Sequence, residues 1–99
     1  MSYEDLSASV KLSEGFRNKI YQDTEGFDTI GWGHKVVASD SFVAGKEYTE
    51  EELQAVFDKD LRKAIAQMKQ LVEQNNITDL PETAEHVITE MCFQLGQTG

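Results

Sequence analysis

The sequence predicts a small α+β fold built from three helices and one β-hairpin. Apolar residues recur at spacings of three and four in residues 2–14, 49–73 and 82–95, which is the pattern of amphipathic helices. Between the first two segments, the turn signal DTEG divides two short runs that can pair as strands. With 99 residues, the chain forms one domain at most.

The composition limits the classes of partner. The chain has 18 acidic and 9 basic residues and a net charge of −9, so neither nucleic acid nor an anionic membrane is expected to bind it. No apolar run is long enough for a membrane span, and the N-terminus lacks the basic-then-apolar pattern of a signal peptide. The one cysteine, Cys92, excludes an internal disulfide and suits a reducing cytosol. No Cys/His spacing predicts a metal site.

The first helix is predicted for residues 2–14. Ser2 is the expected N-cap, and Gly15 stands just after the last helical residue, where glycine commonly ends a helix. This places Glu14 at the last helical position, at the boundary of a well-ordered element. The ordinary alternative is a solvated glutamate at a helix end.

The hairpin follows directly. Residues 16–21 and 27–30 are the two predicted strands. The next segment, Gly31-Trp32-Gly33, has glycines that permit a sharp bend or a close backbone approach. Residues 36–48 are predicted to be irregular, with one short extended piece and a loop.

Two helices complete the chain. Thr49 and Glu52 form a capping box for a long helix, which is predicted to run from Thr49 to about Glu73. Pro81 is the predicted first residue of the final helix. The apolar face of that helix over 82–95 is wide, so we expect a protein partner or a further C-terminal segment to cover it.

Two carboxylates on different elements indicate a chemistry. Glu14 ends a helix and Asp23 opens the hairpin turn, so the two could face each other across a cleft. Hydrolysis of a glycosidic bond uses such a pair: one carboxyl group protonates the leaving oxygen, and the other activates water or stabilises positive charge on the sugar. Thr29 follows the turn, where its hydroxyl could hold a water. Spacing alone does not carry the assignment, because the chain is rich in acids.

A longer set of residues carries more information than the pair. It comprises Glu14-Gly15-Phe16-Arg17, Tyr21, Asp23-Thr24, Gly26, Thr29-Ile30-Gly31 and Gly33-His34, and it continues with Phe57, Asp60 and the segment from Met91 to Gly96. This set resembles the catalytic signature of the phage-type lysozymes, the family of the T-even phage lysozyme and related endolysins. The resemblance covers nearly the whole chain and is weakest from Lys35 to Lys46.

The resemblance implies roles for individual residues. Glu14 matches the general acid, Asp23 the second catalytic carboxylate, and Thr29 the residue that helps to place the attacking water. His34 matches a histidine that forms a structural ion pair with an aspartate on the long helix, which is Asp60 here.

For substrate binding, the resemblance implies Phe93 and Gln94, on the side of the cleft that contacts the sugar chain. Trp32 is a further candidate for lining the cleft, and a place in the packed core is the equal alternative. Lys35 departs from the family pattern, since an apolar residue that contacts sugar stands at this position in the T-even enzyme.

The implied fold is lysozyme-like, with a hairpin lobe over 1–48, a linking helix over 49–73 and an incomplete helical lobe over 77–99. The implied substrate is peptidoglycan, cut between N-acetylmuramic acid and N-acetylglucosamine, with no metal or organic cofactor. Without a signal peptide, such an enzyme is expected in the host cytoplasm before lysis and acts on the cell wall in the periplasm. The alternative is a truncated lysozyme-like module that binds or interacts without turnover.

Overall fold

The computed structural model describes residues 2–98 and contains, within them, three α-helices and one small antiparallel sheet. The helices are α1, Tyr3–Glu14, α2, Glu50–Gln74, and α3, Glu82–Thr98. The strands, in sheet order, are β1, Arg17–Gln22, β2, Asp28–Gly31, and β3, His34–Lys35. A single 3-10 turn, Ala38–Asp40, lies between β3 and α2. The α+β prediction is confirmed.

Helix α1 has the predicted ends. The Ser2 hydroxyl oxygen accepts a hydrogen bond from the Asp5 N–H at 3.0 Å, which satisfies one of the free donors of the first turn. At the other end, Gly15 takes a φ of +72° and its N–H donates to the Lys11 carbonyl at 3.0 Å. Glu14 is therefore the last helical residue.

The hairpin closes where the turn signal predicts. The Asp23 N–H donates to the Phe27 carbonyl and the Gly26 N–H to the Asp23 carbonyl, each at 3.0 Å. Tyr21 stands opposite Thr29 in the ladder between β1 and β2. The strands begin and end one residue later than predicted, and a register irregularity lies between Arg17 and Tyr21.

The extended piece predicted within 36–48 is wrong in position, because the third strand lies at His34–Lys35, before that segment. Gly31 and Gly33 have φ values of +65° and +74°, a conformation that glycine adopts without steric cost. The chain reverses through these glycines, and Ile30 pairs with His34. Within 36–48 the only helical or strand element is the 3-10 turn.

Helix α2 starts with the predicted capping box. The Glu52 N–H donates to Thr49 Oγ1 at 3.1 Å, and the Thr49 N–H donates to Glu52 Oε1 at 3.2 Å. The helix ends at Gln74, one residue beyond the prediction. Helix α3 begins at Glu82, one residue later than predicted, so Pro81 precedes the helix instead of being its first residue. The Pro81 carbonyl accepts a hydrogen bond from the Glu85 N–H at 3.0 Å.

Helix α2 joins the two ends of the molecule through its buried face. Residues from α1, the sheet, the turn after β2, the loop before α2 and α3 pack with it into one apolar core: Leu6, Val10, Ile30, Trp32, Tyr48, Leu53, Phe57, Leu61, Ala64, Met68, Cys92 and Phe93. At the centre, the Phe57 ring contacts Trp32 with 5.5 Å between centroids and Phe93 with 5.7 Å. The core therefore fixes the sheet and α3 relative to each other.

Helix α3 leaves part of its apolar surface in solvent. Val87, Met91 and Leu95 are 57%, 59% and 67% exposed. What covers this face stays a prediction. Across residues 2–98, no helix is both long and apolar enough to cross a membrane.

Candidate active site

Glu14 is held between the turn after β2 and helix α3. A Cβ atom placed on Gly33 would lie 2.9 Å from the Glu14 Cδ, so the carboxyl group rests directly against the glycine backbone. From the other side, the Gln94 side-chain amide donates a hydrogen bond to Glu14 Oε1. The sequence places these three residues on three elements, and the fold brings them together.

The surroundings of Glu14 favour its protonated form. Burial is the largest effect and raises the pKa of this carboxyl group, and the negative charge of Glu90 on α3 raises it further. Ser9 Oγ donates to Glu90 Oε1 at 2.9 Å, which holds the Glu90 side chain in place. Both carboxyl groups border a cleft of about 240 Å³ whose walls include Val87 and Met91. A general acid needs such an environment, because it must carry a proton when the reaction begins.

Asp23 has the opposite environment. Its Oδ1 accepts hydrogen bonds from the backbone N–H groups of Phe27 and Glu25, both at 2.9 Å. The hydrogen bond from Phe27 is the largest effect on the pKa of Asp23, and it lowers that pKa. The Lys35 ammonium, 3.8 Å from Asp23 Oδ2, acts in the same direction. Asp23 therefore loses its proton more readily than an ordinary aspartate.

Thr29 is linked to Asp23 through the backbone of a single residue, Phe27. Its hydroxyl donates to the Phe27 carbonyl at 3.0 Å, and the residue is 3% exposed. The N–H of Phe27 bonds Asp23 while its carbonyl bonds Thr29, so the two side chains share one backbone anchor. Because the hydroxyl proton is committed to Phe27, Thr29 Oγ1 can meet a water only as an acceptor.

His34 lies between two carboxylates. Its Nδ1 is 2.6 Å from Asp60 Oδ2 and its Nε2 is 2.8 Å from Asp40 Oδ2. Both ring nitrogens can donate only in the imidazolium form. Burial lowers the pKa of His34, but the hydrogen bonds and charges of Asp60 and Asp40 outweigh burial and raise it overall. The charged ring thus ties β3 to α2 and to the 3-10 turn.

We expect this cluster to make stability depend on pH. The folded pKa of His34 is raised, so its contribution is fully present below the unfolded pKa of about 6.5 and is lost as pH rises through the folded value. Replacing His34 by glutamine should cost about 1.5–3 kcal/mol at pH 6, the value of a hydrogen bond to a charged group. Denaturant unfolding at pH 6 and pH 9 should show this cost shrinking at the higher pH. An equal cost at both pH values would contradict the charged ring.

The three predicted sugar-contacting residues differ in their exposure to solvent. Gln94 is exposed and bonds Glu14. Phe93 is 1% exposed and packs on Phe57, and Trp32 is 6% exposed with its ring 4.6 Å from that of Phe16. Both rings belong to the apolar core, and their contact with substrate stays a prediction.

Three residues near the site were not singled out as partners by the sequence reasoning. Asp40 bonds His34, Glu90 acts on Glu14, and Gln97 Oε1 accepts from the Lys35 backbone N–H at 3.0 Å. The sequence did contain one signal for two of them: Glu90 and Gln97 stand four residues before and three after Gln94, which puts all three on one helix face.

Among residues 2–98, no three His, Cys, Asp or Glu side chains form a group that could hold a metal ion.

Together, the fold and the site define a class of protein: a small α+β protein with two candidate catalytic carboxyl groups, Glu14 and Asp23, whose pKa values are displaced in opposite directions. The chain belongs to the phage lysozyme family, whose family model, described as "Phage lysozyme", matches residues 11–99. The resemblance stated from the sequence is thereby confirmed.

Individual relatives agree with this family. The chain is 32% identical over 83 residues to a SAR-endolysin of Bacteriophage PS34 and 31% identical to one of Bacteriophage PS119. Each match covers 84% of this chain and 46% of the relative. The chain therefore spans less than half the length of these curated relatives.

Solved structures show the same fold. The active form of the P1 phage endolysin Lyz superposes with a TM-score of 0.71 at 22% identity, covering 92% of this chain and 48% of Lyz. The muramidase domain of SpmX from Asticaccaulis excentricus gives 0.68 at 25% identity, covering 92% and 56%. A chain from S. enterica described as a phage endolysin gives 0.67 at 18% identity, covering 100% and 95%.

Proposed function

We propose that this chain is a lysozyme, or the catalytic part of one, that hydrolyses peptidoglycan between N-acetylmuramic acid and N-acetylglucosamine. Glu14 is the proposed general acid, Asp23 the second catalytic carboxylate, and Thr29 the residue that positions the attacking water. Family membership and the muramidase neighbour support the substrate class. The residue roles rest on the geometry of the site.

The observation that carries the proposal is the contrast between the two carboxyl groups. The pKa of Glu14 is raised by burial and by Glu90, whereas that of Asp23 is lowered by backbone N–H groups and by Lys35. Groups whose environments move their pKa values apart are suited to act as acid and base in one reaction. Glu14 then enters the reaction protonated while Asp23 enters it ionised.

The hydrogen bond from Gln94 suggests which Glu14 oxygen acts. Because the amide donates to Oε1, the acid proton belongs on Oε2, the oxygen nearest to Gly33. From there it passes to the glycosidic oxygen as the bond to the sugar breaks. Ionised Asp23 activates the water or stabilises the positive charge that develops on the sugar, and Thr29 Oγ1 accepts a hydrogen bond from that water.

The direct test is hydrolysis of purified peptidoglycan by the 99-residue chain. We expect new reducing ends that carry N-acetylmuramic acid. The rate should fall as pH rises through the raised pKa of Glu14, because the acid loses its proton, and fall again at low pH as Asp23 gains one. No release of reducing ends at high protein loading, or release of N-acetylglucosamine ends alone, would contradict the proposal.

A second candidate is an interaction module without turnover. The exposed residues Val87, Met91 and Leu95 favour it, because an apolar stripe of this kind commonly marks a binding surface. In this case a protein partner or a further segment covers 82–95. Hydrolysis of peptidoglycan by the chain alone would exclude this candidate.

The proposed place of action is the cell wall. The sequence predicted a cytoplasmic stage before lysis. We propose export to the periplasm instead, because the curated relatives carry the name SAR-endolysin.

A further inference from the structure

The two oxygens of the Asp23 carboxyl group have different surroundings. Oδ1 accepts hydrogen bonds from the backbone N–H groups of Glu25 and Phe27, both at 2.9 Å, and these two bonds use both of its lone pairs. Oδ2 lies 3.8 Å from the Lys35 ammonium group. Oδ2 is therefore the oxygen that has capacity left to bond a water, and Lys35 stands beside it.

Lys35 is held in place by three neighbours. In the sheet it pairs with Thr29, and its backbone N–H donates to Gln97 Oε1 of α3 at 3.0 Å. Its ammonium lies 4.1 Å from the centroid of the Phe27 ring, which is a cation–π contact. The side chain is 18% exposed, so the ammonium has a defined position next to Asp23 instead of moving freely in solvent.

The other charged groups nearby do not replace Lys35. In the hairpin, Glu25 and Asp28 are exposed carboxylates with the same sign of charge as Asp23. Among residues 2–98, no other cation lies within 4.0 Å of the Asp23 carboxyl group. The two aspartates that border the same groove as Lys35 bond the ring of His34. The charged side chains around this groove, besides Lys35, are His34, Asp40, Lys59, Asp60 and Lys63.

We propose that Lys35 is a positioning residue for the hydrolysis, acting through Asp23 Oδ2 to keep this carboxylate ionised and fixed in orientation. The inference rests on the proposed function, in which Asp23 is the second catalytic carboxylate. An adjacent positive charge favours the ionised form of a carboxyl group. The apolar residue that stands at this position in the T-even enzyme has no such charge. With Lys35, the protein keeps its rate at a lower pH than it would with a neutral side chain there.

The first measurement requires no turnover. The labelled carboxyl carbon of Asp23 is followed by NMR as the pH is lowered, in the unmodified chain and in Lys35→Met. Methionine is about as long as lysine and can still pack on Phe27, but it has no charge. We expect Asp23 to titrate at a higher pH in Lys35→Met, and to titrate nearly as in the unmodified chain in Lys35→Arg, which keeps the charge. Raising the salt concentration should shrink the effect of Lys35→Met.

Lys19→Met is the matched control. Lys19 is an exposed lysine of β1 whose ammonium lies 3.4 Å from Glu47 Oε1, so the same chemical change removes an ion pair elsewhere in the sheet. It should leave the titration of Asp23 unaltered. A displacement as large as that in Lys35→Met would assign the effect to the net charge of the chain, and the proposal would fail.

The second measurement is the rate of peptidoglycan hydrolysis as a function of pH. On the acid side of the profile, Lys35→Met should be slower than the unmodified chain by about two- to fivefold, the scale of one solvent-exposed ion pair. On the alkaline side, where the protonation of Glu14 limits the rate, the two should coincide. A residue that only supports the fold would instead lower the rate by the same factor at every pH.

The remaining outcomes separate this inference from the function on which it rests. An unchanged titration of Asp23 in Lys35→Met, or a uniform loss of rate, would overturn the role of Lys35 and leave the proposed function standing. A displaced titration with an unchanged acid side of the rate profile would show that Asp23 does not govern the rate. Absence of hydrolysis by the unmodified chain would overturn the proposed function itself, whatever the titration shows.

Discussion

Replacing Glu14 by glutamine is expected to reduce peptidoglycan hydrolysis by at least about a hundredfold, the lower end of what a general acid contributes. Glutamine has nearly the same shape but no acidic proton to give to the leaving oxygen. The fold should persist, because Glu14 is a half-buried residue at a helix end and Gly15 still ends the helix. The measurement is the release of reducing ends, with a thermal melt to verify the fold.

Glu51→Gln is the matched control for this experiment. Glu51 is an exposed glutamate in the first turn of α2, and the same chemical change there should leave the rate unaltered. If Glu14→Gln and Glu51→Gln hydrolyse peptidoglycan equally well, Glu14 is not the acid.

Gly33→Ala should also reduce hydrolysis by roughly a hundredfold, although Gly33 has no functional group. The new Cβ would lie 2.9 Å from the Glu14 Cδ and closer still to Oε2, so the flexible carboxyl group has to move away. A displacement of about 1 Å at a reacting group can cost a factor of 10² in rate. The positive φ of +74° adds a loss of stability of about 1–2 kcal/mol.

Gly45→Ala separates the two effects. Gly45 has a similar φ of +83°, but a Cβ there would meet nothing within 4 Å. It should lose comparable stability and keep its activity. If Gly45→Ala and Gly33→Ala lose activity to the same degree, backbone strain rather than displacement of Glu14 is responsible.

The helices were predictable because their end signals are local. Ser2 and the Thr49–Glu52 pair make the predicted capping hydrogen bonds, since each cap depends on residues within one turn. The third strand was predicted at the wrong position because no local signal specifies where it lies. Its position depends on two glycines at positive φ, Gly31 and Gly33, and the sequence permits that conformation without requiring it.

The candidate site also has a part that the sequence could predict and a part that it could not. Glu14, Asp23 and Thr29 lie within sixteen residues of one another, so a residue pattern could collect them. Glu90 and Asp40 act through contacts that only the tertiary fold creates, and no pattern linked them to the acid or to His34. The sequence likewise left open whether Trp32 lines the cleft or packs in the core. Its ring is 6% exposed and lies in the apolar core, and its contact with substrate stays a prediction.

Helix α3 gives the site an order of assembly. Its hydrogen bonds to Glu14 and to the Lys35 backbone join residues separated by 80 and 62 positions, among the most distant pairings in the chain. Contacts of such long sequence separation generally form late in folding, because a large loop must close first. On the ribosome, the hairpin emerges long before Gln94 and Gln97. Glu14 is thus synthesised early and receives its amide partner, Gln94, only when α3 docks.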